Sequence, residues 1–508
     1  MMVNGSILLS CLVFSPVLGL FIVALMPKER QRALQAAGII ASLLPAALSL
    51  ALFSLFDRSA TGMQYSEFWR WFTIPLPGTP GLPLFYSLGV DGLSLALLVM
   101  SSVVVVMGAI AGRYLPNRWK EFYLWLFALE IGLLGVFAAQ NLFLFFVFFE
   151  LTIIAVFFMV GLWGESGRER AANQFLLYNG IGSGILLLAI VFLFIRFGTL
   201  NYGELSSYML DPQSPFAEAG MQLSSTARWL LFFAFLTAFG IKLPIFPLHS
   251  WMIALNREAH PAVIMLESGI VLKMGAYGIL RFGVGLFPQE AGRMAVLLAI
   301  LGLVNLLFGA FVAMVQSDLR GILAYSSLSH MGIVLLGLAA MNEAGLTGSI
   351  FQMVSHGFVA PLLFFILLLW QHRTGTTRLS ELGGLSRLMP RTGGFFMAAA
   401  MASLGLPTLS GFVSELFAFT GLFGSLPVMA AIGTLGIILT AAYMLRAVQG
   451  VTFGPLGKEW EGLADARGLD YVPLLALLAF SFLLGLYPAV LAEPLHTTLQ
   501  DFLLRIGG

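Results

Sequence analysis

The sequence predicts an all-α polytopic membrane protein: 14 transmembrane helices, two inverted five-helix repeats (spans 4–8 and 9–13), and breaks in helices 7 and 12. Three observations carry this prediction. The 508 residues are 59% hydrophobic and 10% charged, with a mean hydropathy of +0.93. Soluble domains are roughly 45–50% apolar and about 25% charged. Basic residues collect in alternate connections, and two long apolar segments carry prolines flanked by small or polar residues.

The apolar runs are continuous and about 20 residues long, the length of a bilayer-spanning helix, whereas a barrel shows alternating ten-residue segments. The spans are read at 5–26, 34–56, 89–112, 120–139, 141–163, 172–196, 229–255, 261–282, 294–315, 321–341, 346–370, 394–424, 427–453 and 471–493. The first run lacks a basic leader and a small-residue cleavage site, so it is read as a retained helix. The longest connections, 57–88, 197–228 and 371–393, are too short for a soluble domain. Residues 1–508 are therefore one membrane domain, with spans 1–3 in 1–119, a first repeat at 120–283, a second at 294–453 and span 14 at 471–493.

Connections after odd-numbered spans hold 17 Lys and Arg, among them Lys458, and those on the other side hold 7, leaving Lys242 and Lys273 inside spans. By the positive-inside rule both termini face outward. A bacterial inner (cell) membrane fits this multi-pass pattern. Trp69, Trp71 and Trp119 near span ends fit an interfacial belt.

Two segments, Gly240-Ile-Lys242-Leu-Pro244-Ile-Phe-Pro247 and Gly405-Leu-Pro407-Thr-Leu-Ser410-Gly411, read as helices broken by an unwound turn. Proline removes a backbone hydrogen bond, and at membrane depth the freed carbonyl needs a protein or water partner. Breaks in corresponding places of two halves mark transporter-like repeats. They fall five spans apart, which sets the repeat at five helices.

The net charge of +1 argues against a nucleic-acid partner. A single cysteine, Cys11, excludes an intrachain disulfide and a cysteine-ligated iron–sulfur or zinc site. No P-loop or dinucleotide fingerprint occurs. Gly180, Gly182 and Gly184 fall inside a span and read as helix packing.

The chemistry resides in ionisable residues at membrane depth: Glu150, Lys242, Lys273, His330, His356 and Glu415, each on a different helix. A charge at the bilayer centre costs roughly 2.5–3.5 kcal/mol on insertion scales. Such charges are kept when they pair structurally or line a hydrated path. Lysine removed from water and histidine both exchange protons readily, whereas a sodium site favours clustered carboxylates and carbonyls. Secondary candidates are Glu130 and Glu267 within spans, and His249, expected near the inner end of span 7. Glu267 precedes Lys273 by six residues, about 240° round an α-helix, so the two do not share a face. Glu258 and His260 read as a solvated turn rather than a metal site.

Phe85-Tyr-Ser-Leu-Gly-Val-Asp91-Gly-Leu-Ser-Leu95, Leu323-Ala-Tyr-Ser-Ser-Leu-Ser-His330-Met-Gly332, Phe351-Gln-Met-Val-Ser-His356-Gly357 and Gly411-Phe-Val-Ser-Glu415 resemble the antiporter-like subunits of respiratory complex I. The resemblance covers nearly the whole chain. The Asp91 segment and Leu272-Lys-Met-Gly-Ala-Tyr-Gly-Ile-Leu-Arg281 are most similar to the M-type chain of NADH-quinone oxidoreductase, without the long lateral helix of the L type.

The resemblance implies a proton-translocating, non-redox subunit of an NADH dehydrogenase-type translocase. Glu150, Lys242, Lys273, His330, His356 and Glu415 form its path. No cofactor is expected in this chain; quinone, FMN and iron–sulfur clusters are expected in partner subunits, beside neighbouring antiporter-like subunits of the respiratory chain. The alternatives are a subunit of a multisubunit sodium/proton antiporter without redox coupling, and a non-pumping scaffold. The chain departs from the family at Gln140-Asn141, where an aspartate is common. It departs again after Asp318, where one arginine, Arg320, replaces two basic residues, and at Glu267.

Overall fold

The computed structural model describes residues 7–75, 82–211, 213–214, 222–456, 460 and 462–507. Residues 5–6 of the first predicted span and Lys458 lie outside the described residues. The chain is a mostly helical polytopic membrane protein. Among the described residues, 12 helices are long and apolar enough to cross a membrane.

The chain opens with α1 (Leu8–Leu25) and α2 (Gln31–Leu55), then a two-stranded antiparallel hairpin, β1 (Gln64–Ile74) and β2 (Leu82–Val90). The hairpin falls where the sequence predicts only a connection. Its strand signal is the aromatic-rich Phe68-Trp-Arg-Trp-Phe72. Helices α3 (Gly92–Ala111), α4 (Trp119–Ala138), α5 (Leu142–Leu162) and α6 (Arg168–Phe197) come next, with a short amphipathic α7 (Tyr202–Leu210).

Side chains start several of these helices. The Asp91 carboxylate accepts from Ser94 N at 2.9 Å, and Asn141 Oδ1 accepts from Phe143 N at 2.9 Å. Asparagine, like aspartate, is a favoured N-cap residue. Gly198, at φ 69°, ends α6 in the left-handed conformation that glycine adopts without strain.

The seventh predicted span, 229–255, is two helices, α8 (Ser225–Lys242) and α9 (Ser250–Glu258), interrupted where Pro244 and Pro247 stand. The eighth is α10, a continuous helical run from Pro261 to Val284 with π-helical turns at Glu267–Val271 and Ile279–Val284. Then come α11 (Ala295–Val315), α12 (Leu319–Ala339) and the 32-residue α13 (Glu343–Thr374). The twelfth predicted span, 394–424, is interrupted at Pro407 into α14 (Pro390–Ser403) and α15 (Ser410–Ser425). After α16 (Pro427–Thr452), α17 (Tyr471–Leu486) stops short of the predicted 493. Pro488 cannot continue it, and α18 (Ala489–Gly507) turns to pack on α3 and α13.

Isolated bridges knit the two ends of the bundle. Leu88–Ala139 and Asn141–Asn201 join one end, and Gly164–Ala259 and Asp318–Arg378 the other. The second end is the one rich in basic residues. The arginine that follows Asp318, Arg320, is buried and donates to the Arg257 and Ala259 carbonyls and to Gln371 Oε1 at 2.7–3.2 Å.

Helices α3, α10, α12 and α13 are almost wholly buried, whereas α1, α2, α6 and α16 present large exposed apolar residues such as Leu25, Leu188, Ile195 and Ile438. That outward apolar surface suits lipid or protein neighbours. Close crossings bring the core helices together. A methyl group on Gly275 of α10 would lie 2.5 Å from Leu243 N, and one on Gly348 of α13 would lie 2.1 Å from Ala418 N of α15. Of the three glycines in α6, Gly182 touches Ala238 of α8; Gly180 and Gly184 face outward, so the packing role falls to one of them.

Candidate functional site

The polar core starts at the first helix break. Lys242 is the last residue of α8 and is fully buried. Its Nζ has no hydrogen-bond partner and sits 5.1 Å from the Phe149 ring centre and 5.2 Å from that of Phe175. Aromatic faces attract an ammonium and partly replace its lost water. Glu150, next to Phe149 on α5, is half-buried, and its Oε1 is likewise unpaired. The two share an electrostatic field without touching, and the carboxylate acting more strongly on Lys242 is Glu267.

Asn305 of α11 secures the break: its Oδ1 accepts from Phe246 N at 2.7 Å, and its Nδ2 donates to the Pro244 carbonyl at 3.2 Å. Two backbone groups exposed by the break are thereby satisfied inside the protein, and the Gly240 carbonyl accepts from Ile245 N at 2.8 Å.

His249 lies at this break, at the start of α9, rather than at the inner end of the span where the sequence predicts it. The nine residues of α9 separate it from that end, about 13 Å along a helix axis. Its ring stacks on Phe246 at 5.4 Å and meets Phe308 edge-on at 5.3 Å. The turn holding Glu258 and His260 is folded rather than simply solvated. Glu258 Oε2 accepts from Gly167 N at 2.8 Å, and His260 N donates to the Trp163 carbonyl at 3.0 Å. Desolvation, then the nearby Arg320 and His372, lowers the His260 pKa to about 3.

Lys273, fully buried on α10, is hydrogen-bonded where Lys242 is not. Its Nζ donates to the Ser268 carbonyl and lies 2.7 Å from His356 Nδ1 of α13. His356 and His330 of α12 have ring centres 5.5 Å apart. Both line a cavity of about 20 Å³, with Ser326, Ser327, Gln352 and Ser355. That volume accommodates about one water.

From His330 the polar chain continues. Gln352 Nε2 donates to His330 Nδ1 at 3.0 Å, so the ring proton sits on Nε2 and faces Ser403 Oγ, also at 3.0 Å. Gln352 Oε1 accepts from Ser414 Oγ. Ser414 precedes Glu415, whose carboxylate lies against Gly405 at the second break: a methyl there would be 2.5 Å from Oε2. Ser355, Ser410 and Ser481 form a side branch with oxygens 2.7 and 2.9 Å apart.

The structure therefore gathers Lys273, His356, His330 and Glu415 into one nearly continuous polar line. It brings Lys242 and Glu150 into the same core without contact. Glu130, on α4, is fully buried with both carboxylate oxygens unpaired. Sequence reasoning missed Gln352, Ser403, Ser414 and Asn305. Gln352 had a signal: it stands one turn before His356 on one helix face. The serines and Asn305 had none, because their roles depend on which helices become neighbours.

Near the hairpin end of the bundle Arg281 and Asp91 form a buried ion pair at 2.6 Å. It borders a cavity of about 490 Å³ lined also by Glu67, Gln140, Glu204 and Asp501.

Comparison with known proteins gives a consistent result. Residues 139–440 match the family described as "NADH:quinone oxidoreductase/Mrp antiporter, TM". The chain is 36% identical over 470 residues to "NAD(P)H-quinone oxidoreductase chain 4" of Gloeobacter violaceus, covering 90% of this chain and 85% of the relative. It is 35% identical over 448 residues to "NADH-quinone oxidoreductase subunit M" of Rhodobacter capsulatus, covering 88% and 86%. In three dimensions it is similar to a chain of respiratory complex I from Thermus thermophilus, with a TM-score of 0.86, 29% identity and coverage of 98% and 100%.

Proposed function

The chain belongs to the NADH:quinone oxidoreductase/Mrp antiporter transmembrane family, and from that premise we propose that it is a proton-translocating membrane subunit of a complex I-type NADH (or other donor)–quinone oxidoreductase. Its partners are the other membrane subunits of such an assembly, including neighbouring antiporter-like ones. It is a non-redox subunit; quinone, FMN and iron–sulfur clusters belong to partner subunits. Protons move along Glu150, Lys242, Lys273, His356 and His330, and Glu415.

The observation that carries this reading is the buried line from Lys273 through His356, His330 and Gln352 to Ser414 beside Glu415. Each link joins a donor to an acceptor with one water-sized gap, between the two histidines. The Gln352 amide orients His330 and Ser414 without carrying a proton itself, so a water beside it completes that step; side chains that only pinned helices together would have no need of the titratable run Lys273, His356 and His330. Lysine and histidine as links favour protons over sodium. An antiporter subunit without redox coupling shares the family description, but the two relatives at 35–36% identity named above carry quinone oxidoreductase names.

The finer architecture belongs to the same proposal. The two interrupted segments join the 12 long helices to make fourteen crossings in a single membrane domain, with two inverted five-helix repeats. The excess of basic residues in odd-numbered connections sets both termini on the outer side of a bacterial cell membrane.

The test is Glu150→Ala and Lys242→Ala in the assembled complex. Assembly is retained while donor oxidation and proton uptake fall together. Normal pumping by both variants refutes the path. Loss of assembly in both, with no separate transport defect, supports a scaffold instead. The subunits that co-purify distinguish a redox complex from an antiporter.

A further inference from the structure

We propose that Glu267 is a relay carboxylate that passes protons between Lys242 and Lys273. This rests on the proton path above and adds a station to it.

Three observations place it there. First, Glu267 is fully buried; its Oε2 accepts from Asn256 Nδ2 of α9 at 3.3 Å, and its Oε1 has no partner. An unpartnered carboxylate oxygen inside a membrane bundle is costly unless something transient uses it. Second, Glu267 opens a π-helical turn. The 240° separation from Lys273 holds only for an uninterrupted α-helix. A π turn shifts the phase of the residues beyond it, and such turns are frequent at functional sites. Third, α10 is wedged between the two halves of the line. Its Gly275 abuts Leu243, next to Lys242, and its Gly269 abuts Gly357, next to His356.

The electrostatics agree with that placement. Glu267 is the first carboxylate acting on Lys242, ahead of Glu150, and it is the carboxylate acting on Lys273; both lysines act on it in return. The charged residues therefore alternate in sign: Glu150, Lys242, Glu267, Lys273.

The chemistry balances. The Lys242 ammonium gives a proton to the Glu267 carboxylate: an N–H bond breaks, an O–H bond forms, and an ion pair becomes two neutral groups. Glu267 then gives that proton to a neutral Lys273 amine, becoming a carboxylate again as Lys273 becomes an ammonium. Its bonds in the structure go elsewhere, so rotation of the side chain or one bridging water completes each transfer.

The experiment uses the complete complex in proteoliposomes, driven by NADH and in parallel by reduced ferredoxin, with Lys242→Ala as reference. Glu267→Gln keeps the size of the side chain and its bond to Asn256 but removes the transferable proton. Turnover and proton uptake should fall on the order of tenfold or more, and Glu267→Asp should restore part of both with a shifted pH profile. Wild-type pumping by Glu267→Gln beside an inactive Lys242→Ala overturns the relay and leaves the path standing. Wild-type pumping by both overturns the path itself. If Glu267→Gln does not assemble, Glu267→Asp decides: a shifted pH profile in the assembled complex supports the relay, and an unchanged one overturns it.

Discussion

Two groups of buried charge share this fold and are treated in opposite ways. Near the hairpin end, Arg281 and Asp91 are fully committed to each other. Arg281 Nη2 lies 2.6 Å from Asp91 Oδ2 and donates to Ser94 Oγ at 3.3 Å; its Nε donates to Tyr277 OH, and its guanidinium stacks near the Tyr202 and Tyr277 rings. Asp91 also caps α3. In the middle of the bundle, Lys242 Nζ, Glu150 Oε1, Glu267 Oε1 and both oxygens of Glu130 have no partner. The same chain can thus saturate a buried charge, and at Lys242, Glu150, Glu267 and Glu130 it does not. A saturated pair fixes α3 to α10 and holds its protons. An unsaturated charge retains the freedom to exchange one.

The sharpest way to break this comparison is to remove one member of the saturated pair. Asp91→Ala leaves Arg281 as an uncompensated buried charge, which costs roughly 3–5 kcal/mol, and it also removes the α3 cap. The complex should fail to assemble, or melt far below the wild type, in a thermal-shift measurement on the solubilised complex. Lys242→Ala, by contrast, removes a charge with no hydrogen-bonded partner to orphan. Assembly and melting temperature should hold while donor-driven proton uptake falls about tenfold or more. If the two variants exchange phenotypes, satisfaction of buried charge does not separate scaffold from path.

A smaller effect is expected within the hydrogen-bonded half of the line. Gln352 alone connects His330 to Ser414, donating to one and accepting from the other. Gln352→Leu keeps the bulk but leaves His330 Nδ1 without its donor, at roughly 1–3 kcal/mol, while Ser414 Oγ keeps the Gly411 carbonyl at 2.8 Å. Proton uptake should fall several-fold, less than for Lys242→Ala, because a water near the adjoining cavity can restore a poorer link. Equal losses in the two variants would mean that the connecting residues limit the rate as much as the charged ones.

Much of this was legible in the sequence. Spans followed from apolar length, the two interruptions from Pro244, Pro247 and Pro407, and the charged residues from their rarity at membrane depth. Their connections were not legible. That Gln352 meets His330, or that Asn305 closes the break at Pro244, depends on which helix faces which, and twelve long apolar helices leave many arrangements open. The hairpin was hidden because a long connection gives no periodic signal strong enough to compete with its neighbours. His249 was misplaced because the break consumes residues that a continuous helix would have spent on reaching the membrane surface. The π turn that Glu267 opens was hidden because such a turn has no sequence signature.

The smallest effect should come from a titratable group that looks functional and is not placed to be. His260 lies at the basic end of the bundle, near His372 and Arg320, as a proton-uptake group would. Yet its pKa, lowered to about 3 by desolvation and those neighbours, keeps it neutral throughout the range near pH 6 to 8 where an ordinary histidine switches. The folded protein resists its protonation and the unfolded chain, near pH 6.5, does not. Stability therefore falls as the pH drops from about 6.5 toward 3, and is independent of this group above 6.5. Asn in its place can still cap the helix at Ala262, the role His260 Nδ1 fills at 3.3 Å. His260→Asn should leave the pH profile of proton uptake unchanged between about pH 6 and 8, and should make the complex lose less stability in acid. A shifted activity profile would instead mean that His260 takes up protons, and that the path begins at the basic end of α10 rather than at the Glu150–Lys242 break.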